Sequence, residues 1–243
     1  MTPIPDDGLL WLAACRSTND EAMARIDDPR LRAVGADLQT AGRGRRGRSW
    51  LSPPGHGLYM SWIARPAFSA RLGAVLPLMA AVAVAELCED LGVRGTVKWP
   101  NDLLVDGQKL AGILCEARSA PEAWHAVVGI GLNLQTPPGG WPAEVPATAL
   151  DAHTDPVPSP QGAARRLIER LDHWLARVAA AQEARPVIQA WEAWAPPRGS
   201  WMRRGDVEGR FAGLAADGAL RLDVGDDVLH VHAGDVELLD RED

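Results

Sequence analysis

The chain has 243 residues, 47% hydrophobic and 23% charged, with a formal net charge of −7 at pH 7. That length supports one large domain, or a sizeable domain plus a small one, and the acidic balance argues against the basic footprint of a nucleic-acid binder. Cys15, Cys88 and Cys115 lie far apart, without metal-site spacing, and read as buried, reduced thiols. Met1–Asp7 lacks a secretory layout, and no apolar run approaches the ~20 residues of a membrane span, so the sequence reads as soluble and cytoplasmic.

In chain order, Ser17-Thr18-Asn19-Asp20-Glu21 opens a helix, with Thr18 and Glu21 in capping-box register. Strand signals follow over 32–39 and 57–64. Residues 71–91 form a long apolar helix closed by Gly92, hydrophobic nearly all round and therefore buried. Short strands are expected over 96–99, 103–105 and 109–115, with Asp106-Gly107 as a tight hairpin turn between the last two. Another strand runs from Trp124 to Leu134, and 137–160 reads as an irregular connection. Helical periodicity returns over 163–184 and again over 187–194, where Trp191 and Trp194 share a core face. His230 and His232 share one strand face and read as solvated, with no third ligand nearby. Composition changes at Ala195-Pro196-Pro197-Arg198-Gly199. Beyond it, turns at Asp217-Gly218, Gly225-Asp226 and Gly234-Asp235 predict a barrel of five short strands.

Two segments carry chemistry. In Gly42-Arg43-Gly44-Arg45-Arg46-Gly47-Arg48 the guanidiniums resist burial and the glycines resist helix, so the segment reads as a mobile loop seeking an anion. A basic surface patch or nucleic-acid arm is the competing reading. Lys98-Trp99-Pro100-Asn101-Asp102 ends a strand with a lysine, an amide and a carboxylate on a turn stiffened by Pro100. The following hairpin returns through Lys109, and Gly112 permits close approach of a ligand. Gly129-Ile130-Gly131-Leu132-Asn133 adds a second strand relieved by glycine.

These segments, with Arg16-Ser17-Thr18-Asn19, Gln39 and the continuation through Ser49-Trp50, resemble biotin protein ligases in residue type, order and approximate spacing. The resemblance covers nearly the whole chain. It implies an α+β fold: a mixed β-sheet packed by helices, class II synthetase-like, over 1–195, then a small SH3-like β-barrel over 196–243. It implies that biotin and Mg-ATP give biotinyl-5′-AMP, and that a lysine of a biotin carboxyl carrier protein then receives the biotinyl group. Lys109, Asp102 and Arg45 would be catalytic. Ser17, Thr18, Asn19, Gln39, Gly42, Arg43, Gly44, Arg45, Lys109, Gly112, Leu114 and Gly131 would bind biotin. Arg45, Arg48, Trp50, Lys98, Asn101, Lys109 and Asn133 would bind ATP, whose Mg²⁺ arrives with it rather than at a dedicated metal site.

Arg43 and Arg45 are expected closest to the reacting anions. Arg16 and Ser49 depart from the family's pattern. The catalytic pattern starts so near residue 1 that a helix-turn-helix has no room, so a ligase without operator binding is expected, with a homodimer possible. A lipoate or octanoate enzyme of the same fold is the alternative reading, but those families lack the Gly-Arg loop.

Overall fold

The computed structural model describes residues 3–119, 124–239 and 241. A seven-stranded sheet is ordered β1-β2-β3-β7-β6-β5-β4, with β1 Leu9–Leu12, β2 Ala33–Ala36, β3 Gly57–Ala64, β4 Thr96–Lys98, β5 Asp102–Val105, β6 Gln108–Ser119 and β7 Trp124–Asn133. Strands β1 and β2 pair in parallel and the others antiparallel, so the sheet is mixed. β1 escapes sequence reading because Leu-Leu-Trp-Leu has no alternation, and its partner lies beyond an intervening helix.

That helix, α1 (Thr18–Met23), begins after Ser17, which makes no side-chain capping bond. The capping-box reading is therefore corrected: the Thr18 hydroxyl is drawn to Gln39 instead. Helix α2 runs from Val75 to Glu89, later than expected, because Ala70–Leu72 forms a 3₁₀ turn with Ser69 accepting from Arg71 N. Twelve of its residues are buried, as its all-round apolar composition requires. Gly92 follows with φ +78°, the left-handed geometry that ends many helices. Helix α3 (Pro160–Ala181) is amphipathic and packs on α2, starting at Ser159, whose side chain accepts from Gly162 N.

After α4 (Arg185–Glu192) come five antiparallel strands: β8 Trp201–Arg204, β9 Val207–Leu214, β10 Leu220–Asp223, β11 Val228–Val231 and β12 Glu237–Leu238. Their order is β11-β10-β9-β8-β12, and the three expected turns each join successive strands. This small sheet shares one apolar cluster with α2 and α4, through Phe211, Leu214 and Trp191. Trp191 meets Phe211 edge-on at 6.3 Å. The Trp99 indole donates to Gly218 O at 3.1 Å, fixing the β4–β5 turn against the C-terminal sheet. No helix among the described residues is long and apolar enough to cross a membrane.

Candidate functional site

A cavity of about 800 Å³ opens between the start of α1, the arginine loop, strands β5–β7 and the C-terminal turn at Asp235. Every residue that the sequence nominated for catalysis, biotin or ATP lines it, while Arg46 does not.

One end is polar and uncharged. Gln39 Oε1 accepts from Thr18 N and Oγ1 at 2.9 and 3.1 Å, and its Nε2 donates to Ser52 Oγ at 3.1 Å. The Ser61 hydroxyl is 2.8 Å from Thr18 Oγ1 and 2.5 Å from Asn19 Oδ1. Asn19 Nδ2 donates to Glu116 Oε2 at 2.7 Å and to Leu114 O at 3.3 Å. Ser17, Thr18, Asn19 and Ser61 are all buried, and these neutral donors and acceptors, anchored behind the cavity on the Glu116 carboxylate, suit a neutral polar ligand group. Gly129 makes it possible: a Cβ there would sit 2.2 Å from Asn19 Oδ1.

The floor is glycine and indole. Trp50 lies over Gly112 and Gly131, where added Cβ atoms would fall 3.0 and 2.3 Å from its ring carbons. Its Nε1 is buried without a hydrogen-bond partner among the described residues. Strand β6 carries a bulge opposite Leu103 and Leu104. Residues 109 and 112 would face opposite ways on a regular strand. Across the bulge, Lys109 Nζ instead comes within 3.1 Å of a Cβ built on Gly112. There Nζ is 2.7 Å from Asp102 Oδ1 and 5.4 Å from the centre of the Trp50 ring. Asp102 Oδ1 is buried, with Lys109 as its charged partner.

The other end is cationic. Arg45 donates to Asn101 Oδ1 at 2.9 Å and Gly234 O at 3.0 Å, and lies 3.3 Å from Asp235. Arg48 and Arg46 also pair with Asp235. Lys98 has no ion-pair partner among the described residues. Five cations and three carboxylates line the cavity, a local positive excess on a chain of net charge −7. The loop expected to be mobile is a closed turn. Arg43 and Ser49 bridge, Trp50 N donates to Gly42 O at 2.9 Å, and Arg46 takes φ 55°.

Sequence reasoning missed several participants. Asp20 and Glu116 hold Arg43 at 2.7 and 3.1 Å. Asp235 reaches in from the second sheet, invisible to local pattern. Trp141–Ala147, read as an irregular connection, lines the cavity. It runs beside Lys109, whose N donates to Pro146 O at 2.8 Å. Asn133 lines the cavity too, but its amide nitrogen donates to Thr148 O and Lys109 O, tying that segment down. No group of three His, Cys, Asp or Glu among the described residues could hold a metal ion. Burial pushes the Cys15 thiol up to about 11 and the Cys115 thiol up to about 12, so neither is a nucleophile at neutral pH.

Residues 15–133 match the biotin/lipoate A/B protein ligase family, and residues 202–239 match the biotin protein ligase C-terminal domain. The chain is 32% identical to the bifunctional ligase/repressor BirA of Bacillus subtilis, over 98% of this chain and 76% of that protein. It is 35% identical to the biotin–[acetyl-CoA-carboxylase] ligase of Paracoccus denitrificans, over 87% of this chain and 92% of the other. The Aquifex aeolicus biotin protein ligase, solved with biotin and ATP, superposes with a TM-score of 0.80 at 26% identity, covering 96% of this chain and 98% of that one.

Proposed function

The chain belongs to the biotin protein ligase family, and we propose that this cavity joins biotin to AMP and then hands the biotinyl group to a carrier lysine. One observation carries the reading: a neutral hydrogen-bonding pocket and a cationic pocket meet at Lys109, under a loop of arginines. The neutral end, from Ser17 to Asn19 with Gln39, suits the ureido ring. The indole of Trp50, packed on Gly112 and Gly131, offers an apolar wall for the aliphatic tail. The cationic end suits the triphosphate of ATP, which enters as its magnesium complex.

In the first step a biotin carboxylate oxygen attacks the α-phosphorus, and the bond to pyrophosphate breaks. Two anions must approach, so Lys109 lowers the barrier by sitting between them in a site of reduced dielectric. Lys98, Arg45 and Arg48 neutralise the phosphates, and Asn101 holds Arg45 in place. In the second step the amine of a carrier lysine attacks the mixed anhydride and AMP leaves. Asp102, whose Oδ1 pairs with Lys109 Nζ at 2.7 Å, orients that amine and takes its proton. In this reading the carrier is the biotin carboxyl carrier domain of a carboxylase, and the reaction is cytoplasmic. The Thr18–Gln39–Asn19 network favours a ureido ring over the dithiolane of lipoate, which offers no N–H or carbonyl.

ATP–pyrophosphate exchange with biotin and with lipoate tests the first step, and mass spectrometry of a carrier domain incubated with biotin and Mg-ATP tests the second. Exchange driven by biotin and a single biotinyl addition are expected. Exchange with lipoate alone overturns the assignment.

A further inference from the structure

Arg43 was expected beside the reacting anions, and its surroundings argue otherwise. Its guanidinium is held by two carboxylates, Asp20 Oδ1 at 2.7 Å and Glu116 Oε2 at 3.1 Å. Two negative charges on one cation leave little attraction for a phosphate. Arg45, Arg46 and Arg48, by contrast, share the single carboxylate of Asp235. The loop therefore divides into a phosphate-seeking part, Arg45 and Arg48, which line the cavity, and Arg43, already satisfied by its own chain.

Glu116 joins that satisfied arginine to the ligand pocket. The same Oε2 that faces Arg43 accepts from Asn19 Nδ2 at 2.7 Å. Asn19 Oδ1 is fixed by Ser61 at 2.5 Å. With both ends of the amide engaged, its orientation is set, and Glu116 sets the donor side. Glu116 does not line the cavity itself, so any influence on a ligand passes through Asn19 and Arg43. Asp20, on the first turn of α1 beside Asn19, completes the grip on Arg43.

We propose that Glu116, with Asp20, is a positioning residue that clasps the arginine loop over the uncharged end of the cavity and locks Asn19 at the same time. Closing the loop and fixing the pocket amide are then one event. The clasp retards escape of biotinyl-AMP while leaving its formation to Lys109 and the phosphate-facing arginines. The inference rests on the ligase reading above.

The test follows release of biotinyl-AMP from the full chain, formed from biotin and Mg-ATP, after removal of excess substrate, at low and high salt. Parent, Glu116→Gln and Asp20→Asn are compared. Glutamine still accepts from Asn19 but loses the charge that holds Arg43. Half-exposed ion pairs weaken with salt, so release from the parent should quicken as salt rises. Glu116→Gln should release about fivefold faster at low salt, at the upper end of what such pairs contribute, and respond less to salt, with Asp20 left as the partner of Arg43. Asp20→Asn, which removes the shorter of the two contacts, should also release faster than the parent, by a similar factor. The single-turnover rate of biotinyl-AMP formation and the melting temperature should match the parent, which a general structural defect would not leave untouched. Release from Glu116→Gln equal to the parent at both salts overturns the clasp. If that variant fails to fold, equal release from Asp20→Asn overturns it instead. A parent that forms no biotinyl-AMP from biotin overturns the ligase reading, and the clasp falls with it.

Discussion

Gly131 is defined by what it lacks. A Cβ built there lies 2.3 Å from the Trp50 ring, so Gly131→Ala must push the indole off the floor. Because Trp50 sits over a cavity rather than in the core, melting should change little while biotin affinity falls about tenfold, roughly 1.4 kcal/mol. Titration calorimetry with biotin beside a thermal melt separates the two effects. Gly129 has a different neighbour, the buried Asn19 network. There Gly129→Ala should cost about 1–3 kcal/mol of folding stability by overpacking, measured by urea denaturation. Lys109→Ala removes the cation proposed to sit between the reactants, and adenylation should fall at least about 10²-fold, read by pyrophosphate exchange with the fold checked by circular dichroism.

Cys88 links stability to alkaline pH. The thiol is wholly buried and pushed up to about 12 from an ordinary 9.0. Above pH 9 the unfolded chain releases this proton while the folded chain keeps it, so stability falls as pH rises. The decline is about 1.4 kcal/mol per pH unit until the folded thiol itself ionises. Cys88→Ala should show a shallower alkaline slope in urea titrations between pH 9 and 10.5 (about one proton's worth). An unchanged slope would remove Cys88 from the linkage.

Among the elements, those whose signals are local were legible. The apolar run of α2, the Asp106-Gly107 turn with φ 50° and 75°, and the long strand β7 all stand close to where patterning put them. The residues of the cavity were legible because their motifs concentrate unusual chemistry in short spans. The bulge in β6 was not, since one extra residue leaves no mark on hydrophobic alternation, yet it brings Lys109 to the face of Asp102 and Gly112. Nor was the cap of α1. Ser17 and Thr18 suit an N-cap in isolation, but Gln39 and Ser61, distant in sequence, recruit the Thr18 hydroxyl. The segment 141–147 was opaque because it has no regular structure, and its place depends on backbone bonds to Lys109.

At the scale of the molecule, the junction near residue 195 divides two sheets without dividing the core. Phe211, Leu214 and Met202 share an apolar cluster with α2 and α4, and Glu192 accepts from Leu214 N across the junction at 2.9 Å. The second sheet also sends Asp235 to the arginine loop. Arg45 has other anchors in Asn101 and Gly234 O, but Arg46 and Arg48 have Asp235 as their carboxylate partner. In Asp235→Asn those two side chains lose their counter-charge, and the turn spanning 45–48 should open more often. Limited trypsin digestion of the ligand-free protein should then cut after Arg46 or Arg48 several-fold faster, about fivefold if the contacts contribute roughly 1 kcal/mol. Biotin with Mg-ATP should restore protection at Arg48, which lines the cavity, because phosphates supply the charge that Asp235 provided. Equal cleavage of parent and variant would mean that backbone bonds alone hold the turn, and that the C-terminal sheet supports the site only by packing.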